Sequence, residues 1–120
     1  MAAQLTMFID GAWVDARSGD RFDTTDPATG AVLASVPRAG ADDVALAVAA
    51  ARRTFDDGTW GSAIAERERA RILLRVAEIV RSQQHELAEL EVRDCGKPIG
   101  DALGDIAEVA FMFEYYAGWA

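Results

Sequence analysis

The sequence predicts an α+β chain in which short strands come first and helices follow. Over the first third, turn-forming residues recur at short intervals between apolar stretches. From Asp42 onward apolar residues instead repeat three and four apart, the spacing of one helix face. The chain has 120 residues, 51% of them hydrophobic and 27% charged, which is a globular rather than a disordered composition. At this length about two-thirds of the unfolded surface can be buried, so a core is within reach for one domain or a piece of one.

In order, Phe8-Ile9-Asp10-Gly11-Ala12-Trp13-Val14 predicts a tight hairpin, because Asp-Gly supplies the positive φ values of a two-residue turn. Ser18-Gly19-Asp20 is a loop, and Phe22 to Thr25 a short strand. Asp26-Pro27-Ala28-Thr29-Gly30 is a turn, with proline fixing φ and glycine closing it. Ala31 to Val36 is a further strand, ended by Pro37. Residues 7–37 are therefore β hairpins, too small to stand alone in water, and residues 41–120 are helical.

Asp42 and Asp43 place negative charge in a first helical turn, where the dipole favours it. Val44, Ala47, Val48, Ala51 and Phe55 form that helix's apolar stripe. Asp56 to Gly61 breaks the pattern, and Ser62 is the expected N-cap of the next helix. Ile72, Leu73, Val76, Ala77 and Val80 form its apolar face. The polar run Ser82-Gln83-Gln84-His85 predicts a boundary or kink. Gly96 occupies the left-handed position that ends a helix, and Pro98 prevents continuation. A last helix carries Leu103, Ile106, Ala110, Phe113 and Ala117 on one side. It runs into Tyr115-Tyr116-Ala117-Gly118-Trp119-Ala120, an apolar aromatic end that predicts further polypeptide to pack against.

The net charge of −8 argues against nucleic acid or an anionic membrane as partner. No apolar run approaches ~18 residues, and Met1 to Met7 lack the basic start and apolar core of a signal peptide. A single cysteine excludes an internal disulfide framework and a cysteine metal cluster, and fits a reducing compartment. Cys95 falls at a helix C-terminus, where the dipole opposes a thiolate, so a structural thiol is favoured over a nucleophile. His85 lies among Gln83, Gln84 and Glu86 and reads as a surface residue. No Ser-His-Asp set, metal-ligand spacing or Gly-x-Gly-x-x-Gly occurs. Asp94, a carboxylate at a helix C-terminus, needs compensation from Lys97, from turn amides or from a bound cation. Asp101, Asp105 and Glu108 share one face of the last helix, either as a solvated face or as an acidic rim for a cationic small molecule.

Five collinear stretches, Phe8 to Val14, Asp26 to Gly30, Arg67, Asp94-Cys95-Gly96-Lys97-Pro98 and Tyr115 to Ala120, resemble the N-terminal segment of NAD(P)-dependent aldehyde dehydrogenases. The resemblance implies an α/β fold: residues 1–120 would be the opening, incomplete part of a Rossmann-like NAD(P)-binding domain, joined to a catalytic domain and an oligomerisation arm. It further implies a cytoplasmic homodimer or homotetramer that oxidises an aldehyde to its acid with NAD or NADP. The nucleophilic cysteine, the glutamate that activates water and the nucleotide-binding residues would all lie outside these 120 residues, so no catalytic or cofactor-binding residue is expected here.

Two sets of residues carry over from that resemblance. Some family members hold a monovalent cation between a backbone carbonyl before the Asn/Asp-Pro turn and the aspartate of Asp-x-Gly-Lys-Pro, here Thr24 or Thr25 and Asp94. The end of the chain is similar to betaine-aldehyde and aminoaldehyde dehydrogenases, which place acidic residues of this helix at the substrate entry, here Asp105 and Glu108. The rival reading is a small acidic module that binds a protein through Phe111, Phe113, Tyr116 and Trp119.

Overall fold

The computed structural model describes residues 3–62 and 64–120. The chain divides after Gly61 into two compact units.

The first unit begins with β1 (Ala3–Gln4), β2 (Met7–Ile9), β3 (Ala12–Val14), β4 (Arg21–Thr25) and β5 (Val32–Pro37). The hairpin forms as expected: β2 and β3 pair antiparallel with Phe8 opposite Trp13, joined by Asp10 (φ 53°) and Gly11 (φ 77°), both left-handed. Two successive positive φ values match the twist of the flanking strands. A three-stranded sheet runs in the order β1-β5-β4, with β1 parallel and β4 antiparallel to β5. The turn between β4 and β5 is tied by Asp26, whose Oδ1 accepts the Ala28 amide at 2.8 Å and whose carbonyl accepts the Gly30 amide at 2.7 Å.

Three strands differ from the sequence reading, and β4 begins at Arg21 rather than Phe22. Strand β1 is additional: two residues without alternation leave no periodic signal. Strand β5 spans Val32–Pro37 rather than 31–36, and Pro37 is its last, buried residue. The following amide, from Arg38, donates to the Asp20 carbonyl at 2.8 Å, so the pairing with the β3–β4 connection continues past the proline. Arg21 binds the sheet together: Nη2 donates to the Leu5 and Ser35 carbonyls at 2.6 and 2.8 Å, and Nη1 pairs with Asp15 at 2.5 Å.

Helix α1 (Ala41–Asp56) completes this unit. Its register differs from the expected stripe. Val44, Val48 and Phe55 are 54%, 61% and 75% exposed, whereas the buried position is Asp43, 3% exposed. Asp43 Oδ2 accepts the Gly40 amide at 2.9 Å and Oδ1 accepts the Arg17 amide at 3.1 Å. A buried carboxylate with both oxygens paired to backbone donors at a helix N-terminus is stabilised by dipole and hydrogen bonds together, which lets a charge take the inward position. An open cleft of about 370 Å³ lies between the hairpin and α1, lined by Ile9, Val14, Leu46 and Ala49, with Asp10 and Arg53 paired at its edge.

The second unit is helical: α2 (Glu66–Ser82), α3 (Gln84–Cys95) and α4 (Ile99–Ala117). The N-cap of α2 is Ala65 rather than Ser62, and Glu66 and Glu68 supply the first-turn negative charge. The predicted boundary stands at Gln83, the shared cap of α2 and α3. Gly96 ends α3 at φ 76°, its amide bonding the Val92 carbonyl at 2.8 Å, and Pro98 is the N-cap of α4.

Helix α4 returns antiparallel along α3 and α2. Gln84 Nε2 donates to the Leu103 carbonyl at 2.9 Å, Arg81 meets Glu114, and Leu73 and Phe113 line one cleft. Ala77, Ala88, Ala102 and Ala110 are each 0% exposed. Small side chains at these points let helices approach closely, and the apolar faces expected for α2 and α4 meet around them.

Candidate functional site

The α3–α4 junction gathers the candidate chemistry of the second unit. Gly96 supplies the left-handed turn and Pro98 the rigid entry to α4, so Lys97 is held between the two helices. Lys97 Nζ donates to Glu91 Oε1 on α3 at 2.6 Å and to Asp105 on α4. These hydrogen bonds, Asp105 first and Glu91 second, hold its ammonium well above the ordinary lysine value. The only lysine of the chain is therefore a clip across the junction. The sequence reading had offered it to Asp94.

Of the two acids expected at a substrate entry, Asp105 is engaged by Lys97, and Glu108 lies exposed one turn on. Asp101 is exposed in the first turn of α4, where the dipole accommodates it. Farther along, Phe111, Tyr115, Tyr116 and Trp119 line an exposed aromatic face, with Tyr115 edge-on to Tyr116 at 5.2 Å between centroids. A cleft of about 190 Å³ opens beside it, lined by Leu73, Met112, Phe113 and Tyr116. Glu114 is held by Arg81, Nη2 to Oε2 at 2.6 Å with a second contact from Nη1 to Oε1. That bidentate pair draws the Glu114 carboxyl below its ordinary range.

Cys95 is exposed at the end of α3, its thiol 3.1 Å from the Glu91 carbonyl oxygen, the back-bonding of a structural side chain. His85 is exposed on α3. The proposed cation ligands fall in separate units: Thr24 and Thr25 end β4, at a register shift in the ladder, and Asp94 sits in the last turn of α3. Among the described residues no group of three or more His, Cys, Asp and Glu side chains is arranged to hold a metal. No helix among them is long and apolar enough to cross a membrane.

Among the described residues, the strand-to-helix junction from β5 to α1 ends at Gly40, and its helix N-terminus is already filled by the Asp43 carboxylate with Asp42 beside it. Negative charge there repels a pyrophosphate that would need those amides.

Contacts that escaped the sequence reading include Asp43 to Arg17, Asp10 to Arg53, Arg81 to Glu114 and the double pairing of Lys97. Only the last had a signal, a lone lysine among twelve basic residues. The others join positions up to 43 residues apart with no local pattern.

Known proteins match this architecture throughout. The sequence profile of the aldehyde dehydrogenase family matches residues 13–120. The mitochondrial aldehyde dehydrogenase family 2 member B4 of Arabidopsis thaliana is 47% identical over 115 residues, which is 95% of this chain and 21% of that protein. Betaine aldehyde dehydrogenase of Bacillus subtilis is 41% identical, over 96% of this chain and 23% of its own. The crystal structure of an NAD-dependent aldehyde dehydrogenase from Sinorhizobium meliloti superposes with a TM-score of 0.90 at 41% identity, covering 98% of this chain and 24% of that one. The chain thus spans between a fifth and a quarter of the length of these relatives. With nine-tenths of its residues inside the family profile and one fold shared with a solved member, this chain belongs to the aldehyde dehydrogenase family.

Proposed function

We propose that residues 1–120 form the N-terminal part of the NAD(P)-binding domain of an enzyme that oxidises an aldehyde to a carboxylic acid, with NAD or NADP as hydride acceptor. The observation that carries this reading is the collinear match over residues 13–120, together with the shared fold at 41% identity. The part of the reaction assigned to these residues is architectural. They hold the α3–α4 junction and the aromatic face of α4, while the attacking thiol, the base and the nucleotide cradle lie in other parts of the protein.

The substrate proposed is a cationic aldehyde of the betaine-aldehyde or aminoaldehyde type. The Bacillus subtilis relative bears that name, and the acidic face of α4 supports the same reading. Because Lys97 engages Asp105, the attraction falls mainly to Glu108. Comparing kcat/KM for betaine aldehyde and for 3,3-dimethylbutanal, its uncharged counterpart, tests this on the whole enzyme. A preference for the cation that drops in Glu108→Gln supports the assignment, and equal values in both enzymes contradict it.

The cation ligands remain part of the proposal: the backbone of Thr24 or Thr25 with the Asp94 carboxylate. Thermal stability of the whole enzyme in potassium chloride against choline chloride, with Asp94→Asn as control, checks it. A homodimer or homotetramer in the cytoplasm completes the proposal, and light scattering of the whole enzyme reads the assembly.

A further inference from the structure

The chain contains two Asp-Gly pairs, Asp10-Gly11 and Asp57-Gly58. Such a pair invites one reaction, because a glycine offers its backbone nitrogen without a side chain in the way. The nitrogen attacks the preceding side-chain carboxyl carbon and a C–N bond forms. One carboxyl oxygen leaves as water, taking the amide proton and the carboxyl proton, and a five-membered imide remains. Water then opens the ring. Attack at the side-chain carbonyl restores aspartate, and attack at the main-chain carbonyl gives isoaspartate, with the chain running through the former side chain.

The two sites are restrained differently. Asp57 follows α1 in a right-handed conformation (φ −79°, ψ −6°), and its Oδ1 accepts both the amide and the hydroxyl of Thr59 at 2.9 and 2.5 Å. Those bonds hold its carboxyl below the ordinary range, so it stays an ionised, poor electrophile. The restraint is local and lasts as long as the turn.

Asp10 is the only non-glycine residue with positive φ among those described, at 53°. The left-handed region costs an aspartate more than a glycine, so the turn's hold on Asp10 is weaker than its hold on Gly11. Its side chain is 64% exposed, and nothing lies within 4 Å of the place a Gly11 Cβ would occupy. Its carboxylate is held by one distant partner, Arg53 Nη2 at 2.7 Å, which is itself 59% exposed. Exposed ion pairs are weak and open readily.

We propose that Asp10 is a modification site of this chain, isomerising spontaneously to isoaspartate, and that the ion pair to Arg53 is the latch that slows it. Isomerisation inserts an extra carbon into a two-residue turn. It would break the pairing of Ile9 with Ala12 and free Arg53 at the edge of the cleft against α1.

The test ages the intact chain at neutral pH and 37 °C in ¹⁸O-labelled water, followed by tryptic mapping of residues 1–17 and of the peptide that ends at Arg67, which begins at residue 54, or at 53 in Arg53→Met. Wild type, Arg53→Met and Arg53→Lys are compared. Isoaspartate at residue 10 should outpace residue 57 in the wild type. It should rise about two- to five-fold in Arg53→Met, the factor carried by an exposed ion pair, and return towards the wild-type rate in Arg53→Lys. The proposal is overturned if residue 57 leads in the wild type, or if Arg53→Met leaves residue 10 unchanged. It is equally overturned if both sites rise together in that variant, since general loosening would then be the cause.

Discussion

Single residues set the corners of both units. Asp43 ties the Arg17 amide to the start of α1 and caps that helix from inside, since Gly40 has no side chain to do so. Asp43→Ala should destabilise the chain by about 1–2 kcal/mol, the range for a lost N-cap, because the part-buried Arg17 and Gly40 amides lose their acceptor. A urea titration with unchanged slope and a lower midpoint is the expected result. Glu114 gives a pH signature. Its carboxyl, ordinarily titrating at 4.5, is lowered first by the hydrogen bond from Arg81 and then by its charge. A lowered folded-state value stabilises above the unfolded value, and that contribution disappears as pH falls through the folded one. The difference in urea midpoint between wild type and Glu114→Gln should therefore be full at pH 7 and close in acid below 4.5. Lys97 has the opposite sign: raised above 10.5, its contribution is present throughout the neutral range and lost only in strong alkali. Local chemistry made Gly96, Asp10-Gly11 and the Asp26 turn legible in the sequence, because each needs a particular φ or a particular short side chain. Arg81 and Glu114 were not legible, since a pair 33 positions apart leaves no trace in either neighbourhood.

The elements followed their periodicity where both faces of the pattern had a use. Helix α4 turns its expected stripe inward, α2 does so from Leu73 to Val80 while Ile72 stays 38% exposed, and the polar break at Ser82 to His85 is the shared cap at Gln83. Helix α1 turns a different face inward. Val44, Val48 and Phe55 have helical spacing, yet they face outward, and the inward position is an acid. Periodicity identifies a helix but does not say which face meets which neighbour; here the capping bonds of Asp43 fixed the rotation. Strand β1 was missed for a related reason, as its place beside β5 depends on pairing rather than on pattern. In the second unit the buried alanines set the helix spacing. Ala110→Leu adds three carbons at a position with 0% exposure and should cost about 1–3 kcal/mol through overpacking. Ala107→Leu, on the exposed side of the same helix, should be near neutral. Equal thermal shifts for the two variants would refute the packing described for α4.

For the molecule as a whole, each unit carries large apolar side chains that it does not itself cover. Phe55 is 75% exposed in the first, and Trp119 is 76% exposed in the second. Relatives four to five times longer share this fold over the matched segment, so other parts of such a protein are available to cover them. The 120 residues alone should therefore bind a dye that reports apolar surface, and a whole enzyme carrying the same sequence should bind far less. We propose that these residues frame an aldehyde dehydrogenase without performing its chemistry. NAD(P)H formation in the presence of an aldehyde, followed by absorbance for the isolated 120-residue chain and for the whole protein, tests it most directly. The account predicts turnover by the whole protein and none by the chain alone; turnover by the chain alone, or a whole protein inert towards every aldehyde offered, would contradict it.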